Sequence, residues 1–241
     1  MSTDDGKPDH NDLGALIDGA PDLRRAADDA KDQYELGNVD EAMAAFAKIE
    51  RASRASRNGL RLQEALMYQG IMRLQAGDAA AALAYFQEQE SICRTLGLRP
   101  FLVMALGNQA LALAKSEDPV QAERAVPLFE EVEGMAREEG DEGLLCRTMI
   151  NKARLLWELD FDHARAAETY GEAIGLARRL GDGQLLALAL GGRAESLGND
   201  ALDEIRDLCR EALPLLEQFG PPFLLERVQR MLDYVEFLRR Q

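Results

Sequence analysis

Aromatic residues are scarce in this sequence, at 6% with a single Trp, and no run of Val, Ile, Thr and aromatics alternates with polar residues. Sheet therefore has little support, because strands draw on those side chains at a period of two. Histidine is nearly absent, at two residues, and cysteine is limited to Cys93, Cys146 and Cys209. Three widely spaced cysteines within apolar helical patterns do not form a disulfide framework, and they read as small buried residues of a reducing cytoplasm. No apolar run approaches the roughly 20 residues that cross a bilayer. Positive charge is in the minority: the formal net charge is −15, which argues against a nucleic-acid or anionic-membrane partner. Lysine occurs only at 7, 31, 48, 115 and 152, so the basic residues are almost all Arg.

What is abundant is Ala and Leu within a 46% hydrophobic content, enough for a core and suited to helices that approach closely. Met1 to Asp12 is polar and acidic without a basic or hydrophobic leader pattern, and residues 1–20 are expected to form a flexible acidic tail. Beyond it the chain repeats. Glycines at 59, 97, 140, 181 and 220 follow one another at intervals of 38, 43, 41 and 39 residues. Each interval reads as two amphipathic helices, with glycine expected to stop the second one by taking a left-handed conformation. A further Gly or polar breaker marks the inner turn, as at Gly77-Asp78 and Gly198-Asn199. Ala then opens the second helix with an aromatic four positions on: Ala42 with Phe46, and Ala82 with Phe86.

This pattern resembles the tetratricopeptide repeat, in the longer form of roughly 40 residues found in bacterial regulators and adaptors. It covers residues 22–220. The third hairpin departs from it with a long turn at Ser116-Glu117-Asp118-Pro119, the fourth with Asp160-Phe161-Asp162, and the fifth lacks the Ala and aromatic pair. The resemblance implies an all-α, right-handed superhelical solenoid of about five hairpins over 21–220. A capping helix follows over 221–241, with Leu224, Val228, Met231, Val235 and Leu238 as its apolar stripe. Pro127 and Pro214 fall inside expected helices, where each should bend the helix or mark a late start.

Catalytic patterns are missing: no phosphate loop, zinc-binding helix or nucleophile elbow occurs. Asp160, Asp162 and His163 could be drawn as a metal site, but a capping turn explains them better. No enzyme activity, cofactor or metal is expected. The resemblance implies instead that the first helices line a concave groove that holds a protein or peptide. Helical phase nominates Arg24, Lys31 and Tyr34 in the first hairpin, Met67, Ile71 and Gln75 in the second, and Phe101, Met104 and Asn108 in the third. Arg147, Asn151, Arg154 and Trp157 follow in the fourth and Arg193 in the fifth. In the tetratricopeptide family an Asn after the small residue of the first helix often bonds a peptide backbone; Asn108 and Asn151 resemble it, although solvation or an internal bond would serve as well. Met67 or Met104 stands where a full carboxylate clamp would need Lys. Basic residues on this face would attract acidic or C-terminal carboxylate segments, unless they pair with Glu35, Glu64 or Glu158. Trp157 fits either core or contact. The leading expectation is an adaptor, scaffold or partner-sensing component of a bacterial regulatory system. A receptor for a small ligand or signalling peptide, and a self-assembling structural protein that forms homo-oligomers, are the alternatives.

Overall fold

The computed structural model describes residues 21–159 and 162–240. The acidic tail over 1–20 and Asp160 of the suggested metal site lie outside them. Among the described residues every element is a helix: α1 (Pro21–Glu35), α2 (Val39–Ser56), α3 (Gly59–Gln75), α4 (Ala79–Leu96), α5 (Arg99–Ala114), α6 (Pro119–Glu123), α7 (Ala125–Glu139), α8 (Glu142–Glu158), α9 (His163–Leu180), α10 (Gly183–Ser196), α11 (Leu202–Phe219) and α12 (Pro222–Leu238), with a 3₁₀ turn at Asn199–Ala201. The chain divides into an N-terminal unit, Met1–Ser116, and a C-terminal unit, Glu117–Gln241. Within each, consecutive helices pack as hairpins and the first helices of neighbouring hairpins also touch. No described helix is long and apolar enough to cross a membrane.

The termini explain why the repeat takes this form. Gly97, Gly140 and Gly181 cap α4, α7 and α9 at positive φ, where a Cβ would be strained. Two expected caps differ. At the end of α2 the left-handed residue is Arg57 (φ 56°), and Gly59 instead begins α3, where a Cβ would collide with Leu96. Gly220 is extended at φ −90° because Pro221 follows and excludes helix before it. Helix starts are capped by short polar side chains. Asn58, Asp78, Asp141 and Asp182 accept from backbone N–H groups at 2.8–3.1 Å. Asp162 caps α9 in the same way at 2.9 Å, as the turn reading required. Pro127 lies in the first turn of α7, after a break that leaves α6 as a separate short helix, so it marks a late start. Pro214 is accommodated inside α11.

The core follows the repeat. Ala42 and Phe46, Ala82 and Phe86, Ala125 and Phe129, and Ala166 and Tyr170 are all at most 2% exposed. The small residue lets paired helices approach, and the ring fills the space created. At Gly70 the approach is close enough that a Cβ would meet the Phe86 ring at 2.5 Å. In α11 the order is reversed: Ile205 takes the Ala position and Cys209 the aromatic one, both buried. That exchange roughly conserves volume, which is why the fifth hairpin folds without the sequence signature.

A polar feature also repeats between hairpins. Gln69 on α3 donates to Glu50 on α2 at 2.8 Å, and Gln109 on α5 donates to Glu90 on α4 at 2.6 Å; each pair is 19 residues apart. At the same spacing Lys152 on α8 lies 2.6 Å from Glu133 on α7, with side chains 8% and 4% exposed. The fourth junction places Ile174 where the carboxylate would be.

Candidate functional site

Within the N-terminal unit, the first-helix face holds a depression of about 480 Å³ lined by Arg24, Asp28, Lys31, Leu60, Arg61, Gln63, Glu64 and Phe101. Three cations therefore face two carboxylates. Glu64 accepts ion pairs from both Lys31 and Arg61, and Asp28 lies 3.4 Å from Lys31. Burial works against the Lys31 charge, but the Glu64 hydrogen bond and negative charge outweigh it and hold the ammonium above its ordinary range. Arg24 is exposed and makes no ion pair among the described residues.

The other nominated residues of this unit are dispersed. Tyr34 accepts from Gln75 at 2.6 Å and meets Tyr68 edge-on, with centroids 5.8 Å apart. Ile71 is half-buried against the Phe86 cluster. Met104 is 44% exposed. Asn108 is half-buried, and its amide has no hydrogen bond among the described residues. Met67 leaves the set: at 7% exposure it packs within the unit, because its phase on α3 turns it inward. Arg61 and Asp28 also line the depression and carry no sequence signal of that role, because a charged residue in a helical turn looks the same in sequence whether it lines a depression or faces solvent.

In the C-terminal unit, Arg147 is exposed, Asn151 is half-buried without a side-chain hydrogen bond, and Arg154 stands 4.0 Å from Glu158. Trp157 is half-buried with the Arg227 guanidinium 5.8 Å from its ring centroid. Arg227 Nε also lies 2.7 Å from Glu195 Oε1. Burial pushes the Glu195 carboxyl above its ordinary range, opposed by Arg227 and aided by Glu158. Arg193 leaves the inner face. It takes the position held elsewhere by Gln69, Gln109 and Lys152, crosses Gly171 on α9 and bonds Glu204 on α11 at 2.9 Å. The described residues contain no cluster of His, Cys, Asp and Glu fit for a metal ion. The three thiols are buried, and burial raises each to about 11, which leaves them protonated at neutral pH.

No protein-family model and no curated protein matches this sequence. Solved structures do. A signal transduction ATPase with numerous domains from Pyrococcus horikoshii, which carries a tetratricopeptide repeat sensor, aligns over 94% of this chain at TM-score 0.76 and 15% identity. The chain has the tetratricopeptide-repeat fold. It spans only 36% of the length of that ATPase. RapI, in its apo form, aligns over 95% of this chain and 89% of its own at TM-score 0.69 and 10% identity. BtubC from P. vanneervenii aligns over 90% of this chain and 84% of its own at TM-score 0.62 and 17% identity. At such identities the likeness concerns the tetratricopeptide backbone, and functional residues must be argued from this chain alone.

Proposed function

We propose that this chain is a non-catalytic tetratricopeptide interaction module, an adaptor or partner-sensing component, that holds a protein or peptide segment against its first-helix faces. The depression in the N-terminal unit is the principal seat. One observation carries the reading: Arg24, without an ion-pair partner among the described residues, borders a cavity of about 480 Å³ beside Lys31, Arg61 and the ring of Phe101. An unpaired guanidinium beside an aromatic ring suits an acidic or carboxylate-terminated segment with an apolar neighbour. Asn108 supplies a free amide on α5 for the backbone of the same segment. The sensor arm of the Pyrococcus ATPase supports the regulatory side of this proposal by analogy of fold.

The test is affinity capture from the source cell with the native chain, Arg24→Glu and Asn108→Ala, followed by peptide arrays bearing free or amidated C-termini. Both positions are solvent-accessible, so the variants should keep the helical circular dichroism signal. A captured polypeptide that is lost with Arg24→Glu, and prefers acidic or free-carboxylate peptides, is expected. Capture unchanged by both substitutions overturns the assignment, and a chain that retains no polypeptide overturns the whole function.

A further inference from the structure

In a hairpin the first helix turns one side to the second helix that follows it. On α3 that side carries Gln63, Gly70, Ile71 and Leu74. Gln63 accepts from Gln89 of α4 at 3.1 Å, Gly70 abuts the Phe86 ring, and Ile71 and Leu74 pack on the Phe86 cluster. α12 is placed as a first helix, packing on α11 and α10 through Leu224, Val228, Leu232 and Val235, but no described helix follows it. Counted from the helix starts at Gly59 and Pro222, the positions of Gln63, Gly70, Ile71 and Leu74 become Glu226, Asp233, Tyr234 and Phe237. Phe223 opens the same stripe. Phe223, Tyr234 and Phe237 are 60%, 51% and 56% exposed, and among the described residues the only other exposed aromatic is Phe219, at the same end of the chain. In a chain so poor in aromatics, that concentration marks a contact surface.

The charges of α12 divide in the same way. On its packed flanks Arg227 pairs with Glu195, Glu236 with Arg210, and Arg239 with Asp203. On the exposed stripe, Glu226, Arg230 and Asp233 have no ion pair among the described residues. Arg230 reaches only the Glu226 carbonyl, at 3.3 Å, and Asp233 accepts only from Gln229, at 2.9 Å. Beside the stripe lies a depression of about 490 Å³ lined by Glu217, Leu225, Glu226, Gln229 and Arg230.

We propose that the aromatic stripe of α12 binds a second copy of this chain, with the two α12 helices antiparallel about a two-fold axis and each serving the other as the missing second helix. Charge complementarity selects this occupant. A two-fold contact is self-complementary, so a cation and an acid three residues apart can satisfy each other across it twice, Arg230 of each copy facing Asp233 of the other. In that antiparallel register Phe237 falls opposite Glu226, at the rim of the other copy's depression. Tyr234 falls opposite Gln229, and Phe223 opposite Arg240, whose guanidinium suits a ring face. The three rings expose roughly 300 Å² per copy, judged from the usual area of an aromatic side chain. A standard interface buries about 800 Å² per partner, so the polar members of the stripe and the walls of the depression complete a reversible contact. The surface belongs to the C-terminal unit and does not depend on the seat proposed above.

The test is sedimentation equilibrium of the full chain over a concentration series. A monomer–dimer equilibrium is expected, and Phe237→Ser should weaken it about ten-fold or more, since each dimer loses two aromatic anchors. The side chains changed are exposed, so helical circular dichroism should be kept. Arg230→Asp and Asp233→Arg each set like charges against one another across the axis and should each weaken self-association about ten-fold. Mixing these two variants restores opposite charges at both contacts, so the mixture should form a heterodimer more tightly than either variant pairs with itself. A native chain that stays monomeric, or one that binds only a different polypeptide through Phe237, overturns the proposal. So do growth beyond the dimer, a dimer indifferent to Phe237→Ser, and a mixture no tighter than its components.

Discussion

Replacing Lys152 separates two explanations of the buried polar junctions. Lys152 Nζ lies 2.6 Å from Glu133 Oε1, and neither side chain is more than 8% exposed. Lys152→Met removes the cation and leaves a buried carboxylate. Such a loss costs about 3–5 kcal/mol when nothing replaces the partner. Here Arg137 remains 3.2 Å from the same carboxylate, although its own side chain is 53% exposed. Partial compensation from a solvated cation brings the expected loss to about 2–3 kcal/mol. Lys152→Gln recreates the pairing already present as Glu50–Gln69 and Glu90–Gln109, so its expected loss is smaller, about 1 kcal/mol. The assay is urea unfolding followed by fluorescence of Trp157, the only tryptophan, which lies on the same helix. Because repeats unfold semi-independently, this probe reports the C-terminal unit directly. Equal losses for Met and Gln would mean that volume rather than hydrogen bonding holds the junction, and would refute the reasoning.

Gly70→Ala should destabilise by about 1–3 kcal/mol through overlap with the Phe86 ring, although Ala stands at the matching positions 110, 153 and 194. Phe86→Leu should cost less in that background than in the native chain, and a double-mutant cycle by thermal unfolding measures the coupling. Arg57→Gly should stabilise by about 0.5–1 kcal/mol, because φ 56° strains a side chain more than glycine's unfolded-state entropy costs; urea midpoints decide it. The thiols of Cys93, Cys146 and Cys209, raised from 9.0 to about 11, should resist alkylation at pH 8 in the native state. Since the folded state favours the protonated thiols, their contribution is complete below pH 9 and is lost as pH rises through 11, which unfolding measured across that range checks.

Much of the fold was written in local chemistry. Glycine at 97, 140 and 181, Asp at 78, 141 and 182, and the Ala-aromatic pairs each act within one or two helical turns. Their spacing therefore carries both the hairpin and its repetition. Where two residue types can do one local job, the pattern is ambiguous: Arg57 takes a left-handed cap expected of glycine, and Cys209 with Ile205 fills the space of an Ala-aromatic pair by volume alone.

The candidate sites were less legible because they depend on which side chains meet across helices. Helical phase brought Arg24, Lys31 and Phe101 to one depression, yet it admitted Met67, which is buried, and Arg193, which turns to Glu204. Nothing local distinguishes Arg193 from Arg154; the difference is that Gly171 on α9 leaves room for one and Glu204 on α11 attracts it. By itself the sequence determined the helices, their pairing and their repeat, because those follow from contacts between near neighbours in the chain. Only tertiary packing decided which charges pair with each other, as Lys152 does with Glu133 and Arg227 with Glu195, and which, such as Arg24, have no ion-pair partner among the described residues, because that depends on distances between residues tens of positions apart.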